Sequence, residues 1–340
     1  MARGSVAVVG AGSWGTTVAA LLAAKGPTWL WARSPELAEA ITEDGQNRRY
    51  LPGIDLPPGL RATASMADAV EGAEVVLVAV PSHGFRGVLE EMAGSLAAGA
   101  AVISLSKGIE VGTNLRMSEV VGEVLPGHPA GVLSGPNLAR EVAEGQPAAT
   151  VVALADEALA QLVQAHLHCG TFRVYTGTDV VGCEIAGASK NVMAIAAGIC
   201  DGLGFGENTR AVLVTRGLAE QGRLGIALGG KTLTFGGLAG VGDLLATCTS
   251  PASRNRTVGF ELGRGRSLDE VLSGMHMVAE GVKTAGPLVD LARRAGVEMP
   301  IAEQVADLVA GKTSPGGALA SLMERPARSE WDPLLQQGLA

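Results

Sequence analysis

The chain has 340 residues, of which 47% are apolar and 18% charged, with only five Phe, two Tyr and four Trp. That length suggests two domains rather than one, and a positive mean hydropathy indicates a well-buried globular protein. The formal net charge of −8 argues against a nucleic-acid footprint, while a few local Lys and Arg can still create a positive pocket for an anionic substrate.

No apolar run reads as long enough to cross a bilayer. Residues 1–9 lack the basic start, apolar stretch and cleavage site of a signal peptide. The expected address is therefore the cytoplasm, without membrane contact. Cys169, Cys183, Cys200 and Cys248 form no C-x-x-C pair and read as small, mostly buried residues. His166-Leu167-His168-Cys169 looks metal-like, but two His two positions apart point to different faces of a helix, and no metal is expected.

In chain order, Val6–Val9 reads as a strand, Trp14–Lys25 as a helix with small inward residues, and Thr28–Trp31 as a second strand. Glu74–Val80 and Ala101–Leu105 are short continuous apolar runs, which suit strands buried on both faces of a parallel sheet. Leu133, Thr150–Leu154 and Phe172–Tyr175 continue the pattern. Strands alternating with helices predict an α/β domain with a doubly wound, Rossmann-type sheet. From Asp179 onward no strand is expected. Val180–Cys200 is too long for a strand, and Thr209–Leu224, Leu238–Thr247, Arg254–Leu262, Val282–Ala295 and Ile301–Val309 read as helices between Gly-, Pro-, Ser- and Thr-bearing breaks. The organisation expected is a nucleotide-binding domain over 1–178 and an all-helical, substrate-binding domain over 179–340. The tail after Arg325 reads as loosely attached.

The first strand runs into Gly10-Ala11-Gly12-Ser13-Trp14-Gly15 and then a helix, the context that a dinucleotide-binding G-x-G-x-x-G requires. Gly10 permits the tight turn, Gly12 lets a pyrophosphate approach the backbone, and Gly15 lets helix and strand pack closely. The helix N-terminus offers free N–H groups to the phosphates, with Ser13 and Trp14 bordering the cofactor. NAD sites usually place an acid at the end of the second strand for the ribose 2′-hydroxyl. Here Arg33 stands there, and a guanidinium suits a 2′-phosphate. NADP(H) is the preferred cofactor expected, with NAD(H) also accepted. The competing reading is a surface Arg with Glu36 nearby.

Five further segments carry polar groups in apolar surroundings. Lys190 sits in a helix otherwise filled with small residues. Bringing a lysine from ~10.4 to near neutrality takes roughly 4 kcal/mol, which burial and neighbouring cations can supply, so Lys190 could serve as a general base for an alcohol. It could equally be a lysine snorkelling from a helix rim. Gly240-Val241-Gly242-Asp243 is a polar island, and Ser253-Arg254-Asn255 lies at a predicted helix start, where it can hold a phosphate or act as an N-cap beside a solvated Arg. Ser104-Leu105-Ser106-Lys107-Gly108 and Ser134-Gly135-Pro136-Asn137 each follow a strand, where open α/β sheets bind ligands; each alone could equally be an ordinary turn.

Together, GAGSWGT (Gly10–Thr16), NRRYLPG (Asn47–Gly53), VPSHGFR (Val80–Arg86), SLSKGIE (Ser104–Glu110), LSGPNLAREV (Leu133–Val142), GASKNVMAIAAGICDGLGFGENTRA (Gly187–Ala211), GLAGVGDLLATCTSPASRNR (Gly237–Arg256) and VAEGVKT (Val278–Thr284) resemble the bacterial NAD(P)-dependent sn-glycerol-3-phosphate dehydrogenase family. The glycine turn is shared with many dehydrogenases; the Lys190 and Asp243–Arg256 segments are the specific ones. The resemblance implies reversible hydride transfer between sn-glycerol 3-phosphate and dihydroxyacetone phosphate, and a role in supplying glycerol 3-phosphate for phospholipids. It implies that Lys190 is the general acid/base and that Lys107 lies between cofactor and substrate. Gly135, Asn137, Asp243, Ser253, Arg254 and Asn255 match the substrate-binding positions. Arg254 would also reach the cofactor, with Ala139, Val278 and Glu280 lining its nicotinamide side and Tyr50 at a cofactor-proximal aromatic position. Asn137 departs from the Ser or Thr more common there, but still donates and accepts hydrogen bonds. The resemblance leaves room for a homodimer. The alternatives are a β-hydroxyacid dehydrogenase, which would need a carboxylate site in place of Ser253-Arg254-Asn255, and a non-catalytic NADP(H)-sensing protein.

Overall fold

A computed structural model of the chain describes residues 6–275, 277–327, 329 and 330. Most of the tail after Arg325 therefore lies outside the described residues. The chain forms two compact units, one of Met1–Ser106 and Met117–Val180, the other of Lys107–Arg116 and Val181–Ala340.

The first unit is built on one eight-stranded sheet in the order β3-β2-β1-β4-β5-β6-β7-β8. Its strands are β1 (Val6–Val9), β2 (Thr28–Trp31), β3 (Leu60–Thr63), β4 (Val75–Val78), β5 (Ala101–Ser104), β6 (Ala130–Ser134), β7 (Ala148–Leu154) and β8 (Phe172–Gly177). The helices are α1 (Ser13–Ala23), α2 (Pro35–Glu43), α3 (Met66–Val70), α4 (Phe85–Met92), α5 (Met117–Val124), α6 (Ala139–Ala143) and α7 (Glu157–Leu167). β1, β4 and β5 are buried along their whole length, as their continuous apolar runs predict. They pair in parallel register, Val8 opposite Leu30 and Leu77, and Leu77 opposite Ile103.

Two strand features differ from the sequence expectation. β3 has the sequence LRAT and buries only Leu60. It forms the sheet edge, where one neighbour suffices and no apolar run is required. β6 and β7 pair antiparallel, so the otherwise parallel sheet carries one reversal. Gly131 lies opposite Leu154 in that ladder, and a Cβ on Gly131 would meet Leu154 Cγ at 2.5 Å, so glycine makes the pairing possible.

The second unit holds α8 (Val180–Gly202), α9 (Glu207–Ala227), α10 (Thr232–Phe235), a π-turn (Leu238–Gly242), α11 (Asp243–Thr249), α12 (Arg254–Gly263), α13 (Leu268–Ser273), α14 (Glu280–Arg294), α15 (Pro300–Val309) and α16 (Pro315–Met323). No strand occurs among its described residues. α8 corrects the expectation that no segment could span a membrane: its best 18-residue window has a mean hydropathy of 1.2, but 89% of that window is buried inside the protein. Its apolar character comes from being enclosed by the other helices, with Ile185, Val192, Met193 and Ile195 fully buried in the unit's core.

α8 and α12 pack backbone to backbone. A Cβ on Gly198 would lie 2.0 Å from the Arg256 carbonyl oxygen, and one on Gly202 2.3 Å from that of Phe260. Gly259 and Gly263 face the Ile195 and Ile199 carbonyls in return, at 2.0 and 2.6 Å. Two glycine pairs at i, i+4 let the backbones touch, and Asn191 of α8 meets Asn255 at the start of α12.

Candidate active site

The three glycines of the turn after β1 differ in what surrounds them. Gly10 has φ +114°, and a Cβ there would lie 2.5 Å from the Ala79 carbonyl oxygen, just past β4. A Cβ on Gly15 would lie 1.9 Å from the Gly10 carbonyl oxygen. Gly12, in contrast, has nothing within 4 Å of its would-be Cβ. The turn thus leaves open backbone at Gly12, the N-cap of α1, which carries no side-chain cap. It lies where the strand order reverses between β1 and β4, the point at which open α/β sheets bind dinucleotides. An extended pyrophosphate fits this arrangement on backbone space and helix polarity alike.

Asn47 holds the turn from outside the motif. It is buried, its Nδ2 donates to the Ala11 carbonyl at 3.0 Å and to Thr16 Oγ1 at 2.8 Å, and its Oδ1 accepts the Tyr50 N–H at 3.0 Å. Tyr50 is thereby tied to the turn, with the Arg49 guanidinium 5.1 Å from its ring centroid. The Ala139 carbonyl accepts from Thr17 Oγ1 at 3.1 Å, so the start of α6 is brought to the first turns of α1. Trp14 lies against Phe172, edge to face with centroids 6.1 Å apart. Its ring therefore packs on the unit's core, and its Nε1 has no partner among the described residues.

Arg33 is exposed at the end of β2. Glu36, its expected competitor, accepts from Ser34 Oγ at 2.5 Å, and this bond holds the Glu36 carboxyl below the usual carboxylate range. Beyond β6, Gly135 has φ +155°, where a Cβ would lie 3.0 Å from Thr150 Cα. Asn137 donates through Nδ2 to the Ala149 carbonyl at 3.2 Å, while its buried Oδ1 has no partner among the described residues.

In the second unit three segments distant in sequence meet on one carboxylate. Asp243 is 1% exposed. Lys190 Nζ donates to its Oδ1 at 2.6 Å, and Lys107 Nζ donates to its Oδ2 at 2.7 Å. Lys190 also donates to Thr247 Oγ1 at 2.7 Å. Two of the three ammonium N–H bonds are thus engaged, and the third has no partner among the described residues. Lys190 is buried, which excludes the snorkelling reading. Burial is the main cause that lowers its pKa to about 8; Asp243 opposes this and the like charge of Lys107 adds to it.

The turn that delivers Asp243 is not the single helix expected over 238–247. Gly242 N–H bonds to the Gly237 carbonyl at 3.1 Å, closing a π-turn. Gly240 has non-helical angles, and a Cβ there would lie 2.2 Å from the Phe235 carbonyl oxygen. Such turns interrupt helices where a side chain must be re-aimed, and here Asp243 opens α11 immediately after it.

Ser253 caps α12, its Oγ accepting the Arg256 N–H at 3.3 Å. Arg254 is exposed and donates through Nη1 to the Val278 carbonyl at 2.8 Å. Its other N–H groups have no partner among the described residues. Asn255 is engaged at both ends: Nδ2 donates to Asn191 Oδ1 at 2.9 Å, and Oδ1 accepts the Gly281 N–H at 2.9 Å. Asn191 in turn donates to the Lys107 carbonyl at 2.8 Å. Val278 and Glu280 flank the N-cap of α14, Ala279. Thr247 and Asn191 are the residues that sequence reasoning passed over. Thr247 stands one helical turn after Asp243, and that i, i+4 spacing was the available signal. Among the described residues no group of three His, Cys, Asp or Glu is placed to hold a metal.

Comparison with known proteins covers both units. The family model for the NAD-dependent glycerol-3-phosphate dehydrogenase N-terminus matches residues 5–160, and the model for the C-terminus matches residues 179–320. A protein of Sphingopyxis alaskensis named glycerol-3-phosphate dehydrogenase (NAD(P)+) 2 is 54% identical over 331 residues, covering 97% of this chain and 99% of its own. A Mycobacterium tuberculosis protein named glycerol-3-phosphate dehydrogenase (NAD(P)+) 1 is 54% identical over 301 residues, 88% of each chain. The crystal structure of glycerol-3-phosphate dehydrogenase from Coxiella burnetii superposes with a TM-score of 0.90 at 39% identity, covering 94% of this chain and 98% of that one.

Proposed function

This chain belongs to the NAD-dependent glycerol-3-phosphate dehydrogenase family, and we propose that it interconverts sn-glycerol 3-phosphate and dihydroxyacetone phosphate with Lys190 as its acid/base. It is an NAD(P)-dependent oxidoreductase acting on a CH–OH group. The observation that carries the residue assignment is the Lys190 ammonium itself: buried, held by Asp243 and Thr247, with one N–H left over. A pKa of about 8 keeps it mostly protonated at neutral pH while leaving the proton transferable.

A nicotinamide cofactor bound there would supply the hydride in one direction and accept it in the other. Lys190 gives its unshared proton to the carbonyl oxygen of the ketone as an alkoxide develops there, and takes it back from the hydroxyl in the reverse direction. Asp243 and Thr247 fix the direction of that N–H. Lys107, on the far carboxylate oxygen of Asp243, adds positive charge for an anionic substrate and helps to keep the Lys190 pKa low. Ser253 and Arg254 hold the phosphate, with the start of α12 supplying backbone N–H groups. Asn255 offers its remaining N–H, and Gly135 and Asn137 bind the substrate hydroxyls, for which the unpartnered Asn137 Oδ1 is an acceptor. The cofactor is held by Gly10, Gly12, Ser13 and Gly15 of the turn, with Trp14, Tyr50 and Ala139 beside it, Lys107, Arg254, Val278 and Glu280 toward the nicotinamide, and Arg33 on the 2′-phosphate that makes NADP(H) the preferred form. A cytoplasmic homodimer that supplies glycerol 3-phosphate for phospholipid synthesis, without nucleic-acid or membrane partners, completes this reading.

The test is the absorbance change at the nicotinamide band with NADPH and dihydroxyacetone phosphate, followed against pH. Reduction needs protonated Lys190, so the rate is expected to fall as pH rises through about 8. Oxidation of glycerol 3-phosphate is expected to rise over the same range. Turnover of a β-hydroxyacid in place of the phosphate ester, or cofactor binding with no turnover, would point to one of the two alternatives.

A further inference from the structure

The ten residues Lys107–Arg116 leave the sheet of the first unit after β5 and belong to the second. They fold into a strap closed on itself: Ile109 bridges Arg116 antiparallel, the Glu110 N–H bonds to the Leu115 carbonyl at 2.9 Å, and Thr113 Oγ1 donates to Glu110 Oε2 at 2.5 Å. Ile109 is fully buried in the core of the helical unit. The strap begins with Lys107, whose carbonyl accepts from Asn191 on α8. It ends with Arg116, whose Nη1 lies 2.6 Å from Glu184 Oε2, also on α8, with side-chain exposures of 14% and 4%.

Glu184 and Asn191 are seven residues apart, about two helical turns, so both lie on one stripe of α8. That stripe grips both ends of the strap, and the Ile109–Arg116 bridge transmits a displacement of one end to the other. Neither Arg116 nor Glu184 has a part in the chemistry described above. We propose that the Arg116–Glu184 pair is a positioning pair for the reaction, seating the strap so that the Lys107 ammonium stays on Asp243.

The consequence runs through charge. The ionisable groups that face Lys190 are Asp243 and Cys248 on α11 and Lys107 on the strap. Cys248 is itself pushed up to about 12 by burial and stays neutral over the working range. If the strap loosens, the like charge of Lys107 recedes and Asp243 turns its undivided charge toward Lys190. Both changes favour the ammonium, so both raise the Lys190 pKa. A purely structural pair would lower stability without moving that value.

The inference rests on Lys190 being the acid/base, and the experiment separates the two. Arg116→Gln/Glu184→Gln is made as a double variant, which removes both charges of the pair together, alongside Arg116→Lys. The pH profile of dihydroxyacetone phosphate reduction is recorded for each, together with a direct NMR titration of the lysine side chains. The double variant is expected to lose kcat/KM on the order of tenfold, as a misplaced group does, and to shift the basic limb and the NMR midpoint of Lys190 upward; Arg116→Lys recovers part of both. An unmoved midpoint in a folded double variant overturns the positioning role, whatever its stability. Should wild type show no basic limb while the NMR midpoint still shifts in the variant, the seating of Lys107 stands and the acid/base role of Lys190 is what fails.

Discussion

The phosphate turn and the Lys190–Asp243 centre reach functional geometry by opposite routes. The turn is local: six consecutive residues, no charge, and a shape set by backbone that only glycine permits at Gly10 and Gly15. The Lys190 centre is assembled from α8, α11 and the strap, and its properties are those of two cations sharing one buried carboxylate. A backbone site fails when an atom is added. A charge site fails when a neighbour is removed or moves. The two should therefore respond differently to small substitutions.

The largest expected effect is on the charge site. Lys190→Ala removes the proton donor while Lys107 keeps Asp243 paired, so turnover should fall by about 10²–10⁴-fold with NADPH affinity, measured by fluorescence titration, nearly intact. Near-normal turnover would refute the acid/base assignment.

At the backbone site two glycines three residues apart should part company. Gly15→Ala places a methyl inside the Gly10 carbonyl and should cost about 3 kcal/mol or more, seen as a large drop in the denaturation midpoint. Gly12→Ala meets nothing in the protein and should cost only about 0.5–1 kcal/mol as an N-cap change, yet weaken cofactor binding because the methyl occupies the space open to a pyrophosphate. Unchanged cofactor affinity in Gly12→Ala would mean that Gly12 is not a ligand surface.

The smallest effect sharpens the boundary between backbone and charge recognition. Arg33→Asp should leave the fold and the NADH rate close to wild type and lower the NADPH/NADH ratio of kcat/KM by roughly tenfold or more, the scale of a charge-assisted phosphate contact of 1.5–3 kcal/mol. An unchanged ratio removes Arg33 from the cofactor site.

Much of this was legible in the chain itself. The apolar runs of β1, β4 and β5 mark strands buried on both faces, and the glycine spacing marks the turn between β1 and α1. Edge strand β3 was not legible, because LRAT at a sheet edge needs neither apolar run nor alternation. The helix read over 238–247 hid a π-turn, because Gly240 is chosen for its contact with Phe235, 5 residues earlier, and not for helix propensity. Asn47 was quoted within a motif without a role, since its bonds to Ala11 and Thr16 span more than thirty residues.

The sequence by itself determined the α/β-then-helical order and the glycine turn and singled out Lys190 as the candidate acid/base, because these rest on local periodicity, local backbone freedom and a resemblance carried by contiguous motifs. Only the tertiary structure decided that Lys107 and the strap behind it belong with the helices, that Thr247 and Asn191 bond to the two lysine segments, and that burial lowers the Lys190 pKa to about 8. Burial and the distances between charges depend on which distant segments share one space, and no stretch of sequence carries that information alone.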